Sequence, residues 1–238
     1  MKTEKIEYKD GDVTLEGYFA YQDHSSEKRP AVLVAHDWSG KNEFACDKAR
    51  KLAELGYVGF ALDMYGAGRI GHTKEEKSAL IQPLMQDRNK LQQRMMAAWH
   101  TAQSLVVVDT TKIGAIGFCF GGMCVLDLAR SGADIKGVVS FHGLLNAPEN
   151  PAKHPIHAKI LALHGFDDPM VTPDQVTRFG EEMTHAKADW QLTMYGHTMH
   201  AFTNPEANDP SFGTVYSPIA DSRSWLAMKL FFQEVFGG

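Results

Sequence analysis

The 238-residue chain carries only three cysteines, Cys46, Cys119 and Cys124. So odd and sparse a set builds no disulfide framework and fits a reducing compartment, so a cytoplasmic location is expected. No apolar run approaches the length of a membrane span, and the charged start, Met1-Lys-Thr-Glu-Lys-Ile-Glu7, lacks the apolar centre of a signal peptide. No membrane association is expected. Lysine and arginine cluster nowhere and the net charge is −5, which speaks against a nucleic-acid partner. Internal repeats, low-complexity tracts and inter-domain linkers are also missing. What remains is an ordinary globule, 44% hydrophobic and 22% charged, large enough for a sizeable core. One domain over residues 1–238 is expected.

Apolar runs alternate with helical patterns along the whole length. Residues 4–20 read as a hairpin around Asp10-Gly11. Ala31-Val-Leu-Val-Ala35, Val58 to Leu62, Ile113 to Phe118, Gly137 to Phe141, Lys159 to Leu163 and Trp190 to Tyr195 read as strands. Helical stretches follow from Asn42 (Ala45, Ala49, Leu52, Leu55 on one face), from Asn89 to Ser104, from Phe120 to Ala129, and from Thr172-Pro-Asp-Gln175, a good helix start. A last helix opens at Ser217-Pro218 with Trp225, Met228, Phe232 and Val235 inward. Residues 67–87 are weakly periodic and read as a loop with a short helix. A polar patch runs from Gln22 to Pro30, and a loop carries Pro148, Pro151 and Pro155. The pattern predicts an α/β fold with a doubly wound, mostly parallel central sheet flanked by helices on both faces.

One stretch stands out. In Lys112-Ile-Gly-Ala-Ile-Gly-Phe-Cys-Phe-Gly-Gly122 a buried strand runs directly into a helix. Gly117 and Gly121 flank Cys119 at two residues on either side. A reactive residue on a strained strand-to-helix turn needs that spacing, although a glycine-rich turn with a buried cysteine would look the same. In open parallel sheets, ligands sit beyond the carboxyl ends of the strands. The polar residues expected there are His36, Asp37, Asp63, Cys119, His142, Asp167, Asp168, His197 and His200. The order nucleophile, acid, histidine is that of the α/β-hydrolase triad.

The chain resembles the dienelactone hydrolase family over nearly its whole length. The likeness rests on Gly117-Phe-Cys-Phe-Gly-Gly122, on Gly165 followed by Asp168-Pro-Met-Val171, on His200-Ala-Phe202-Thr-Asn204, and on Tyr65-Gly66. The resemblance implies the α/β-hydrolase fold, no cofactor, and a carboxymethylenebutenolidase-like ester hydrolase. It implies Cys119 as nucleophile, Asp168 as acid and His200 as base, in preference to the adjacent Asp167 and the nearby His197. A thioester on Cys119, released by His-activated water, follows from those groups. The oxyanion would be held by the backbone N–H groups of Phe120 and Trp38.

Two positions depart from the best-known members. Asp37 stands where they carry a glutamate that interacts with the resting cysteine, and an equally good reading has Asp37 capping its own turn. Asn204 stands where they carry an arginine for the substrate carboxylate; Arg69 or Arg88 could supply a charge instead. With Trp38, Tyr65, Phe120, Phe166 and Met199 as apolar lining, small neutral or aryl esters are the expected substrates, and an activated phosphotriester the alternative. A metal hydrolase built on His36, Asp37, Asp167, Asp168, His197 and His200 would leave Cys119 unexplained; no metal is expected. A non-catalytic binding module would not need all three triad members. A redox pair of Cys119 and Cys124 would have its thiols on different helix faces. A monomer or homodimer is expected.

Overall fold

β1 (Lys2–Asp10) and β2 (Val13–Tyr21) pair antiparallel in unbroken register from Lys2↔Tyr21 to Asp10↔Val13, as the hairpin pattern predicts. The computed structural model describes residues 1–23, 27–149 and 155–237. Part of the polar patch before β3 and Pro151 of the proline loop therefore lie outside the described residues. The packing divides into two compact units, Met1–Ile116 and Gly117–Gly238.

In the first unit, β3 (Arg29–Ala35) is the uninterrupted apolar run, buried from Ala31 onward. α1 (Glu43–Glu54) starts where Asn42 accepts the Ala45 N–H and buries Ala45, Ala49 and Leu52. β4 (Val58–Ala61) pairs parallel with β3 and antiparallel with β2. The weakly periodic segment holds more helix than its pattern predicts. α2 (Lys74–Gln86) runs for 13 residues, opened by a capping box between Thr73 and Glu76. It buries only Leu84, so no apolar stripe marks its length. α3 (Arg88–Ser104) buries Leu91, Met95, Ala98 and Ala102 as its spacing predicts, together with Arg94 and Trp99. β5 (Val108–Phe118) begins before its apolar run, because Asp109 to Lys112 are not buried.

In the second unit, α4 (Phe120–Arg130) is buried at every one of its 11 residues. Its terminal cation survives burial by pairing: Arg130 meets Asp127 at 3.0 Å and both oxygens of Glu182 at 2.8 and 2.7 Å. β6 (Gly137–Phe141), β7 (Lys159–Gly165) and β8 (Trp190–Tyr195) pair parallel in that order. α5 (Pro173–His185) has Pro173 in its first turn, and Gln175 reaches back to the Thr172 N–H at 2.8 Å. Two strands of two residues each, β9 (Asn208–Asp209) and β10 (Thr214–Val215), form a small separate sheet. α6 (Pro218–Val235) buries Ala220, Ser224, Met228 and Phe232, leaving Trp225 and Val235 half-buried. The main sheet has eight strands.

Candidate active site

Cys119 occupies the single residue between β5 and α4, with φ +56° and ψ −116°. Non-glycine residues seldom adopt positive φ, and those that do cluster at turns and functional sites. Here the Cys119 N–H donates to the Phe141 carbonyl at 3.0 Å, and the Cys119 carbonyl accepts from Gly122 N–H at 2.9 Å. Gly117 makes the turn possible. A methyl group there would lie 2.8 Å from Gly122 N and closer still to the Gly121 carbonyl. Cys119 is half-buried, whereas Cys124 is fully buried within α4. Cys46, half-buried in the first unit, has its thiol pKa pushed up by burial.

The end of β7 carries the two adjacent aspartates, and the structure separates them. Asp168 turns inward: its side chain is 0% exposed and accepts from His200 Nδ1 at 2.7 Å and from Met170 N–H at 2.8 Å. Asp167 faces solvent, 3.9 Å from Nδ1 of a fully exposed His197. The loop carrying His200 presses on the end of β7 so closely that a methyl on Gly165 would sit 2.8 Å from the Met199 carbonyl. Backbone bonds clamp His200 as well. Its N–H donates to Gly213 at 2.9 Å, and its carbonyl accepts from Val215 at 3.1 Å.

Burial works against a charge on His200, but the neighbouring Cys119 sulfur and the Asp168 carboxylate together raise its pKa to about 10. His200 Nε2 has no hydrogen-bond partner of ordinary geometry among the described residues. His164, buried at the end of β7, has its pKa lowered by burial and by the His200 charge, against the pull of Asp168.

A model of the dienelactone hydrolase family matches residues 15–236. The chain belongs to the dienelactone hydrolase family. The crystal structure of a dienelactone hydrolase-like promiscuous phosphotriesterase from metagenomic libraries superposes with a TM-score of 0.94 at 36% identity, covering 98% of both chains. An uncharacterised protein of Caenorhabditis elegans is 41% identical over 154 residues, which are 63% of this chain and 98% of that one. A carboxymethylenebutenolidase homolog of Xenopus tropicalis is 26% identical over 216 residues, covering 87% of this chain and 85% of its own. The fold is that of the α/β hydrolases, with a mostly parallel sheet flanked by helices.

Asp37 accepts the Ser39 N–H at 2.7 Å, so its carboxylate caps the turn that it opens. Trp38 is half-buried, with Lys77 of α2 over its ring at 5.5 Å. Tyr65 is only 2% exposed; its hydroxyl donates to the Trp38 carbonyl at 2.9 Å and its ring meets His36 edge-on. His36 is a core residue: Nε2 accepts from Met64 N–H, Nδ1 faces the Asp37 carbonyl, and burial lowers its pKa. Asp63 accepts N–H groups from Glu16, Tyr65, Gly66 and Gly68. Burial alone would raise its pKa, but these bonds hold it below the usual carboxylate range.

Phe120 is buried as the first residue of α4, Phe166 is 59% exposed and Met199 is half-buried. Asn204 is half-buried and accepts the Glu206 N–H at 3.0 Å. Arg69 is exposed and bonds the Gly66 and Tyr65 carbonyls, while Arg88 is half-buried in α3. Among the described residues, no three His, Cys, Asp or Glu side chains are grouped to hold a metal ion, and no helix is long and apolar enough to cross a membrane. The sequence carried no signal for the clamp from Gly213 and Val215, because it is built from a turn residue and a strand two residues long.

Proposed function

We propose that this chain hydrolyses carboxylic esters or lactones with Cys119 as the nucleophile, His200 as the acid and base, and Asp168 as the group that orients it. The observation that carries the reading is the φ of +56° at Cys119, on a turn between strand and helix with no room for a side chain at Gly117. The sulfur attacks the carbonyl carbon. The negative charge that develops on oxygen is met by the Phe120 N–H at the start of α4. The carbon–oxygen bond of the ester then breaks, and the departing alkoxide takes the proton of the His200 imidazolium, leaving a thioester. Water attacks the thioester as His200 Nε2 takes its proton; the carbon–sulfur bond breaks, the acid leaves and the sulfur regains its charge. Asp168, bonded to Nδ1 at 2.7 Å, keeps that nitrogen protonated so that Nε2 remains the working atom. The raised His200 pKa suits a ring that is charged beside the sulfur in the resting site.

Small neutral or aryl esters are the preferred substrates in this reading. Asn204, uncharged and engaged with the Glu206 N–H, offers no cation to a substrate carboxylate. Activated phosphotriesters are a second class, favoured by the 36% identity to a promiscuous phosphotriesterase. Cys119→Ala abolishes p-nitrophenyl ester hydrolysis in this scheme while folding is retained, and iodoacetamide inactivates with protection by substrate. Undiminished turnover of Cys119→Ala would falsify the scheme. Comparing kcat/KM for neutral esters, carboxylated lactones and activated phosphotriesters ranks the substrate classes.

A further inference from the structure

His142, the residue after β6, has a φ of +38°. Histidine reaches this region more readily than most residues, and here the residue is buried, only 2% exposed. Its N–H donates to the Leu163 carbonyl at 2.8 Å, and its Nε2 lies 2.8 Å from Thr203 Oγ1, three residues beyond His200. Its ring meets the His200 ring edge-on, with centroids 5.2 Å apart and planes at 66°. Phe202 at 5.0 Å and Phe118 at 6.1 Å enclose it further. The residue before it, Phe141, accepts the Cys119 N–H. One buried residue therefore adjoins the strand that leads to Cys119, the strand that leads to Asp168 and the loop that carries His200.

The Asp168 bond restrains the His200 ring at Nδ1, but the angle of a hydrogen bond is soft, so the ring can still tilt about that contact. The torsion that turns an imidazole is broad, so one hydrogen bond with a soft angle leaves the far nitrogen a range of positions. We propose that His142, anchored by Thr203, is a positioning residue that fixes the plane of the His200 imidazole and so keeps Nε2 on the side of Cys119. The inference rests on the cysteine-hydrolase reading. An edge-to-face contact suits the task, because it is one of the two arrangements that ring pairs favour over a face-to-face sandwich. The titratable groups facing His200 are Cys119, Asp168, His164 and His142 itself.

His142→Asn is the decisive change, since asparagine tolerates positive φ and removes the ring. With p-nitrophenyl ester, kcat falls roughly 10²-fold, the loss expected when a reacting group is displaced by an ångström, and KM stays within about twofold. The pH midpoint for alkylation of Cys119 by iodoacetamide moves away from the wild-type value. Thr203→Val changes both readouts in the same direction by less, and His142→Phe, which restores a ring edge, recovers most of kcat. A residue that only supports the fold would lower the folded fraction without moving the alkylation midpoint or separating kcat from KM. Wild-type kcat and midpoint in His142→Asn overturn the proposal, as they do in Thr203→Val should His142→Asn not fold. Full turnover in Cys119→Ala overturns the nucleophile assignment instead, so the two failures are told apart.

Discussion

Gly117→Ala tests whether the elbow is held by close backbone contact. The added methyl would stand 2.8 Å from Gly122 N, and nearer still to the carbonyl carbon and oxygen of Gly121. Ordinary contacts between such atoms lie near ~3.5 Å, so the shortfall is at least about 0.7 Å. All three obstructing atoms are backbone, so no flexible side chain can give way. α4 cannot simply step aside, because each of its 11 residues is buried. Overpacking of a core typically costs about 1–3 kcal/mol, and backbone obstruction places this substitution at the upper end, about 3 kcal/mol. That is a large part of the roughly 5–15 kcal/mol by which domains are stable. If the turn yields instead by moving Cys119, a displacement of about 1 Å lowers turnover on the order of 10²-fold. Urea unfolding reports the first outcome and kcat/KM for p-nitrophenyl ester the second. Gly196→Ala is the control: nothing lies within 4 Å of its added methyl, and a change within about 0.5 kcal/mol is expected. Wild-type midpoint and turnover in Gly117→Ala would refute the reasoning.

Asp168→Asn removes one of the two groups that raise the His200 pKa, so that pKa should fall below about 10 in the folded variant, as read by NMR titration of the histidine ring. Turnover should fall by about 10⁴-fold through loss of the correct tautomer; an unmoved pKa would remove Asp168 as its cause. Asp63 makes the stability of the first unit acid-sensitive. Its folded pKa lies below the unfolded one, so its contribution is complete above the unfolded value, near ~3.9, and is lost as pH falls through the folded value. Asp63→Asn should therefore be less stable than wild type at pH 7, with the gap narrowing toward pH 3 in urea denaturation; a gap independent of pH would contradict this.

Much of the architecture could be read in advance because it is local. The elbow is written in five consecutive residues, Gly117 to Gly121, and the strands around it are uninterrupted apolar runs. Which side chains meet was harder to read. Asp167 and Asp168 are neighbours of identical chemistry, and only the fold of the turn after β7 sends one to a buried histidine and the other to water. Likeness to a family pattern favoured Asp168 and His200; periodicity alone could not. The extent of α2 escaped the pattern because a helix that buries one residue has no stripe to display. The turn cap was one of two readings open for Asp37, and the Ser39 N–H meets it, whereas the bond from the Tyr65 hydroxyl to the Trp38 carbonyl depends on a loop path that spacing does not encode.

The left-handed backbone at Cys119 bears on how the chemistry of this scaffold could be exchanged. The frame that aims position 119 is made of main-chain atoms of Phe141 and Gly122 and of the space left at Gly117. None of it depends on sulfur. A serine would be presented on the same frame, whereas β-branched side chains are poorly tolerated at positive φ. For redesign, the turn is a fixture into which small unbranched heads can be fitted, and the rest of the site decides what each head can attack.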